Sequence, residues 1–127
     1  MSQFFCRLGF IAFICLSPFA YSQSDACKDY KEADGKLNEV YQAVVSKYKA
    51  DAAFLKKLKT AQKAWLAYRD AQLEALYPAV NKQAEYGSVY TACSCIERTE
   101  LVQERVAVLK KWLEPKAEGD VCSGSRK

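Results

Sequence analysis

The chain has 127 residues, with 19 basic and 15 acidic side chains and no histidine, which gives a formal net charge of +4 at pH 7. This length fits one small domain, and the charge is too low to indicate a nucleic-acid-binding protein, since such domains are much more basic. Without histidine, and with no pair of carboxylates in an apolar setting, the usual means of acid–base and nucleophilic catalysis are missing. We therefore expect a non-enzymatic protein that needs no cofactor.

Residues 1–22 have the features of a secretory signal peptide. Arg7 precedes a mostly apolar run of ten residues, and small residues at the −3 and −1 positions favour cleavage before Gln23. Ten residues are too few to span a bilayer, although an uncleaved anchor is the alternative. Cleavage leaves residues 23–127 as one domain with a net charge of +3, in the periplasm or outside the cell.

A first helix is predicted from about Asp25 to Tyr48. Apolar side chains recur there at steps of three and four, which is the period of an amphipathic helix. These positions are Tyr30, Ala33, Leu37, Tyr41, Val44 and Tyr48. Gly35 weakens the helix by about 1 kcal/mol relative to alanine, but the apolar stripe continues on both sides of it.

A second helix is predicted to begin after Asp51, which suits the N-cap position. Its apolar stripe contains Phe54, Leu58, Ala61, Trp65 and Tyr68. Pro78 should end this helix near Leu76 or Tyr77, because proline cannot continue a helix and restricts the residue before it. The break near Ala50 is only two or three residues long, so the two helices should form an antiparallel hairpin.

Residues 78–93 show no clear period and are expected to connect the hairpin to a third helix. Ser94 and Glu97 have the spacing of a capping box, which predicts the start of that helix, and Pro115 should end it. No segment shows the alternation typical of strands. The predicted fold is therefore all-α, a long antiparallel helical hairpin with a third helix packed against it.

Several polar side chains fall on the predicted seam of the hairpin. A turn near residue 50 places opposite each other those residues whose numbers sum to about 100, so Asn38 should face Gln62. Asp34 should lie within one turn of Arg69, and a buried guanidinium requires a carboxylate of this kind. The predicted network comprises Asp34, Asn38, Gln62, Trp65, Arg69 and Asp70. It can fix the register of the helices, border a binding groove or, least favoured, take part in catalysis.

The same residues carry a resemblance to a known family. The motifs are Leu37-Asn38-x-x-Tyr41, Gln62-x-x-Trp65-x-x-x-Arg69-Asp70, a Gly87-Ser88 turn, Cys93 or Cys95 at the start of the last helix, and Arg105. In these motifs the sequence resembles the lysozyme-inhibitor LprI-like family of small secreted or lipid-anchored bacterial proteins. The resemblance implies a protein that binds or inhibits lysozyme, or that helps the cell envelope to tolerate it.

If the resemblance extends to lysozyme binding, the connection at residues 78–94 is the expected contact. Tyr77, Tyr86 and Tyr90 suit an interface because each is large and has a polar tip. The alternative is that these tyrosines only pack over one end of the hairpin. Common lysozymes are strongly basic, so an inhibitor needs an acidic face, and Glu100 and Glu104 on the third helix offer one.

Four cysteines remain after signal cleavage, and in an oxidising compartment they predict two disulfides. A soft-metal site at Cys93-x-Cys95 is the alternative, and the lack of histidine argues against it. The start of the first helix should lie at the same end of the hairpin as the start of the third. Cys27 should therefore pair with Cys95 or Cys93, and Cys122 with the other. We favour Cys27–Cys95 and Cys93–Cys122.

A second surface is rich in lysine. Residues 47–63 contain six lysines and one acid, Asp51, so the tip of the predicted hairpin carries a local charge of +5. Such a tip can contact anionic lipid headgroups or anionic wall polymers. A plain solvated face is the alternative interpretation.

Overall fold

The computed structural model describes residues 23–127, so the predicted signal peptide lies outside the described residues. The helices are α1 (Gln23–Lys47), α2 (Ala52–Leu76), α3 (Lys82–Tyr86) and α4 (Tyr90–Lys110), followed by a 3₁₀ turn at Val121–Ser123. Within this part of the chain there is no strand, and the predicted all-α fold is confirmed. No helix among the described residues is both long and apolar enough to cross a bilayer.

The hydrophobic core lies mainly between α1 and α4, which pack closely along their lengths. Its buried members are Leu37, Val40, Val44, Tyr48, Leu58, Val102, Val106 and Leu109. On each helix these positions follow the three- and four-residue spacing of one face. Full burial of a valine or leucine side chain stabilises the fold by about 1.5–3 kcal/mol, so this seam supplies much of the stability.

The second helix runs antiparallel to α1, as predicted, but its backbone stays farther from α1 than that of α4 does. Only Leu58 and Leu73 of α2 are fully buried. Phe54, Leu55 and Trp65 also pack against the core but are only partly buried. By contrast, Val102 and Val106 allow α4 to approach α1 closely.

We call the region around the α1–α2 connection the turn end. Asp51 caps α2 here, because its Oδ1 accepts a hydrogen bond from the backbone N–H of Phe54 at 2.9 Å, as predicted. The ring centroid of Phe54 lies 4.5 Å from that of Tyr48 and 4.6 Å from that of Trp112. The last residues fold back onto this cluster, and the N–H of Lys127 donates to the Tyr48 hydroxyl at 2.7 Å.

The opposite end, which we call the disulfide end, is closed by Cys27–Cys95, whose Cα atoms are 5.0 Å apart. This bridge joins the start of α1 to the start of α4 and confirms the favoured pairing of Cys27. The Cys93–Cys122 pairing is wrong, because both thiols are free. Cys93 lies on the first turn of α4, whereas the segment that carries Cys122 is attached at the turn end. The length of α4, about 25 Å from residue 93 to residue 110, separates them.

The connection between α2 and α4 is more ordered than the sequence indicated. It contains α3, whose N-cap Asn81 accepts a hydrogen bond from the N–H of Ala84 at 3.0 Å. Gly87 then adopts a φ of 73°, a conformation that favours glycine, and this turn leads directly into α4. The last helix therefore starts one turn before Ser94, and the predicted capping box is wrong. Ser94 is buried inside the helix, where its hydroxyl donates to the carbonyl of Thr91 at 2.9 Å.

Candidate functional site

The predicted polar network lies along the seam between α1 and α2. The two helices form the walls of a groove in which Asn38 of α1 lies on the same surface as Gln62 of α2. Asn38 is exposed, however, and Gln62 is half-buried. The structure thus places both amides on the predicted surface, with Gln62 as the inner of the two.

Arg69 lies beneath this surface with a side chain that is 14% exposed. Its Nη2 and Nε lie 2.8 Å and 2.9 Å from Oδ1 of Asp70, and its Nη1 lies 4.0 Å from Oδ1 of Asp34. The two carboxylates are more exposed, at 61% and 41%. Solvent screens such pairs, so they position the guanidinium more than they stabilise the fold.

Gln62 pairs with Arg105, a partner that the polar-network prediction omitted. The Nε of Arg105 on α4 donates to Oε1 of Gln62 at 2.9 Å, which ties the hairpin to the last helix. The guanidinium carbons of Arg69 and Arg105 lie 5.7 Å and 5.9 Å from the ring centroid of Trp65, within the range of a cation–π attraction. Arg105 is among the family motif residues, which is the sequence signal that could have placed it here.

The structure therefore divides the predicted network into two parts. Asp34, Arg69 and Asp70 form one ion-pair group, Gln62 joins Arg105, and Trp65 lies beside both guanidinium groups. Whether these residues fix the register of the helices or border a binding groove stays a prediction. Among residues 23–127, no cluster of three or more acidic, cysteine or histidine side chains is arranged to hold a metal ion.

The three tyrosines of the predicted contact form a cluster at the disulfide end. The ring of Tyr77 lies 5.2 Å from that of Tyr86 and 5.1 Å from that of Tyr90, edge to face in both pairs. Burial raises the pKa of Tyr77, and the nearby Cys93 and Glu97 act in the same direction. All three tyrosines are half-buried, so the cluster packs over this end and also presents aromatic surface to solvent.

The cluster is held in place by polar contacts around α3. The hydroxyl of Tyr86 accepts a hydrogen bond from the N–H of Ala79 at 3.2 Å. The ammonium of Lys82 donates to Glu74 and to the carbonyl of Tyr77, both at 2.8 Å. The hydrogen bond to Glu74 raises the pKa of Lys82. These contacts fix the connection between α2 and α4 against the tyrosine cluster.

Glu100 and Glu104 are both exposed on α4. Glu100 borders a shallow pocket beside the disulfide, which it shares with Ala26, Asp29 and Ile96. Ile96 is 41% exposed, so apolar surface and acidic groups lie next to each other there. Glu104 does not line this pocket, and whether Glu100 and Glu104 form an acidic binding face stays a prediction.

Charge is segregated along the long axis of the domain. When α1, α2 and α4 are divided at their midpoints, residues 23–35 and 64–100 form the disulfide half, and residues 36–63 and 101–127 form the turn half. The disulfide half contains five basic and nine acidic side chains, a net charge of −4. The turn half contains 13 basic and six acidic side chains, a net charge of +7. The modest overall charge is therefore the sum of a negative disulfide half and a positive turn half, which we call the negative and positive poles.

The predicted lysine-rich tip lies at the positive pole. Lys47 is engaged there, because its ammonium donates to the carbonyl of Trp112 at 3.0 Å and also to the main-chain oxygen of Lys127. The other five lysines of the run are exposed, at Lys49, Lys56, Lys57, Lys59 and Lys63, and the last two line the groove between α1 and α2. The end of α4 adds Lys110, and the segment after it adds Lys111, Lys116, Arg126 and Lys127, so the positively charged surface is larger than the lysine-rich run at residues 47–63 indicated.

These features define a small all-α domain that is closed by a disulfide. A family model described as "Lysozyme inhibitor LprI" matches residues 20–109, which include all four α helices apart from the last residue of α4. The chain therefore belongs to the LprI lysozyme inhibitor family.

A curated relative supports this assignment but names no activity. It is "Uncharacterized protein R02472" of Rhizobium meliloti (strain 1021), which is 37% identical to this chain over 75% of the chain and 76% of its own length. No solved structure matches the chain. The segment that closes the turn end, from residue 110 onward, lies beyond the family match.

Proposed function

We propose that this protein binds lysozyme at the cell envelope, inhibits it, and makes the contact through the disulfide end. Its family is one of lysozyme inhibitors, which supports a protein-binding function at the coarse level. The observation that directs the contact to this end is the net charge of −4 on the disulfide half, because common lysozymes are strongly basic.

The overall charge of +3 on residues 23–127 is no obstacle to this contact. Helices α1 and α2 each contain 25 residues, which is about 37 Å of helix. At physiological ionic strength the Debye length is only about 8 Å. A basic partner that approaches the disulfide end is therefore exposed mainly to the acidic half, while the distant lysines are screened.

The surface itself combines an aromatic centre with an acidic border. Tyr77, Tyr86 and Tyr90 are fixed against one another, and tyrosine is enriched among the residues that dominate binding energy in interfaces. Exposed carboxylates on α3 and α4, such as Glu85 and Glu100, would steer the approach of a cationic partner. The tyrosines would provide the contact area, and the carboxylates would attract and orient the basic partner.

The location proposed for this activity is the periplasm or the cell exterior, after removal of residues 1–22. A disulfide such as Cys27–Cys95 persists in oxidising compartments and is rare in the cytosol. Lysozyme acts on the cell wall, so the protein and its proposed target would meet in the same space.

A charge-reversal experiment tests the proposal. The secreted protein should slow lysozyme digestion of peptidoglycan, and Glu85→Lys with Glu100→Lys should weaken binding by at least about tenfold at low salt, measured by titration calorimetry. The matched control is Glu114→Lys with Glu118→Lys, which changes the net charge equally but alters exposed acids of the turn half. Absence of binding and inhibition, or an equal loss in both double variants, would contradict the proposal.

The positive pole supports a second candidate function, contact with anionic envelope surfaces. The supporting observation is the net charge of +7 on the turn half, with several exposed lysines around the hairpin tip. Each lysine near an anionic bilayer surface contributes about 1 kcal/mol. Co-sedimentation with anionic vesicles should then fall as salt rises and fall again on changing Lys56, Lys57 and Lys59 to glutamine. Vesicle binding that does not change with salt concentration would count against this function, as would the absence of binding.

A further inference from the structure

A second groove opens between α2 and α4 in the turn half, with a volume of about 660 Å³. Most of its lining is apolar and comes from Ala53, Phe54, Leu58, Ala61, Val108 and Trp112. Val108 on its α4 wall is 44% exposed, so the groove presents apolar surface to solvent. This groove is separate from the tyrosine cluster and from the α1–α2 seam.

One charged group in the groove lacks a neutralising partner. Arg105 lines the wall of α4, and the ion pairs among residues 23–127 do not include it. Its Nε donates a hydrogen bond to Oε1 of Gln62, and its guanidinium lies near the Trp65 ring. Partial burial lowers the pKa of Arg105, because water has been removed from the cation without an anion in exchange. An anionic ligand would therefore find a cation that is already partly desolvated.

The walls of the groove favour an alkyl chain over an extended peptide. The two long walls are α-helices, whose mid-helix backbone groups are already hydrogen-bonded, and Ser125 of the terminal segment lines the groove as well. An extended peptide would find no backbone partner along the helical walls, whereas an alkyl chain needs none. Asp51, the acid in the lining, is engaged as the N-cap of α2 through its Oδ1.

The dimensions select a short chain. From Phe54 to Ala61 the α2 wall extends about 10 Å, and the facing wall runs along α4 from Arg105 and ends at Trp112, just beyond that helix. The acyl chains of bilayer lipids each fill half of a hydrocarbon core that is about 30 Å thick, so they are too long for this groove. A medium-length chain fits between Arg105 and the aromatic residues at the turn end.

We propose that this groove is a binding site for a medium-chain carboxylate, a free fatty acid anion. Its carboxylate would pair with the guanidinium of Arg105, whose planar donors match a carboxylate in two-pronged geometry. Its alkyl chain would lie along Leu58 and Val108 towards Trp112. Lys57 on the rim adds a second positive charge. This site is independent of the proposed lysozyme contact, and either proposal can fail without the other.

Titration of the secreted protein with short amphiphiles tests the site, with tryptophan fluorescence and calorimetry as readouts. Octanoate should bind saturably and more tightly than hexanoate, by at most about fourfold per added methylene. Octanol should bind at least about tenfold more weakly than octanoate, because it lacks the charge. Equal binding of octanol and octanoate, or no binding of octanoate, would overturn the proposal.

Variants of the protein distinguish the contribution of the ligand's carboxylate to binding from that of its alkyl chain. Arg105→Gln should remove the preference for octanoate over octanol, and Arg105→Lys should retain part of it. Ala61→Phe should block the groove and abolish binding, whereas Ala64→Phe, at an exposed position one turn further along α2, should leave binding unchanged. Circular dichroism shows whether each variant is folded. Binding that survives Ala61→Phe would overturn the site, as would binding only of anionic vesicles or of an acidic peptide.

Discussion

The two ends of this domain are closed by different physical means. At the disulfide end a covalent bond joins α1 to α4, and a tyrosine cluster packs over the connection from α2. At the turn end the rings of Tyr48, Phe54 and Trp112 form the closure, and the terminal segment folds over them. The first end carries net negative charge and the second net positive charge.

The contrast shows that net charge is a poor guide to the partner of an elongated domain. A value of +3 for residues 23–127 favours neither a basic nor an acidic partner, yet each half alone strongly favours one of them. Screening makes the halves act separately, since the helices are several Debye lengths long. The same small domain can therefore present one end to a basic protein and the other to an anionic surface.

The largest expected effect is at the disulfide end. Changing Cys27 to serine removes a bridge between residues 68 positions apart, and the chain-entropy model gives a loss of about 4 kcal/mol in the free energy of unfolding. Urea denaturation measures it. The controls are Cys93→Ser and Cys122→Ser, which alter free thiols and should change stability little. If either control costs as much as Cys27→Ser, the assignment of the bridge is wrong.

The matching test at the turn end is Trp112→Ala. This change removes a ring that contacts both Tyr48 and Phe54, and it should cost about 3 kcal/mol, the lower part of the range for large aromatic truncations, since Trp112 is only half-buried. Thermal and urea unfolding measure the loss. Tyr68→Ala, at a position that is 54% exposed, is the control and should be nearly neutral. A loss below 1 kcal/mol for Trp112→Ala would show that the aromatic cluster is not the closure.

A smaller effect is expected in the part of the disulfide half nearer the middle of the domain, at Arg69→Ala. The exposed carboxylates of Asp34 and Asp70 limit the ion-pair contribution, while the contact with Trp65 and the packing of the side-chain stem add to it. We expect a loss of about 1–2 kcal/mol, measured by urea unfolding. An unchanged stability with weakened partner binding would instead assign Arg69 to a binding surface.

The smallest effect is a pH dependence at the disulfide end. The pKa of Lys82 is raised above its ordinary value of 10.5, mainly by its hydrogen bond to Glu74, so the folded state binds this proton more tightly than the unfolded state does. The resulting stabilisation is fully present below pH 10.5 and is lost as pH rises through the folded-state pKa. The melting temperatures of the wild type and of Lys82→Gln should differ slightly at pH 8 and converge at strongly alkaline pH. A difference that grows with pH would contradict this assignment.

Local patterns were enough to predict the regular parts of the fold. The apolar stripes gave α1 and α2 with bounds within two residues, Asp51 was identified as a cap, and the antiparallel geometry of the hairpin led to the Cys27–Cys95 bridge. The start of α4 was missed because Ser94 matches a cap in sequence, whereas the Gly87 turn begins the helix earlier.

The remaining errors depend on contacts between distant segments. Predicting whether Cys122 forms a disulfide requires knowledge of where the terminal segment runs. That path is set by contacts of Arg126 with Trp112 and of Lys127 with Tyr48. The partnership of Arg105 with Gln62 depends on the rotation of α4 about its axis, which its own apolar stripe defines only broadly. Segregation of charge becomes visible only when the three long helices are placed side by side.

Hydrogen exchange of the protein with and without lysozyme locates the lysozyme contact on one end of the domain or the other. We expect slower exchange in the connection and first turns of α4, residues 77–100, with no change at the hairpin tip, residues 47–63. Both segments are present in the same sample, so each serves as the reference for the other. Protection confined to the hairpin tip, or protection nowhere in the chain, would contradict the assignment of the acidic end as the surface that binds lysozyme.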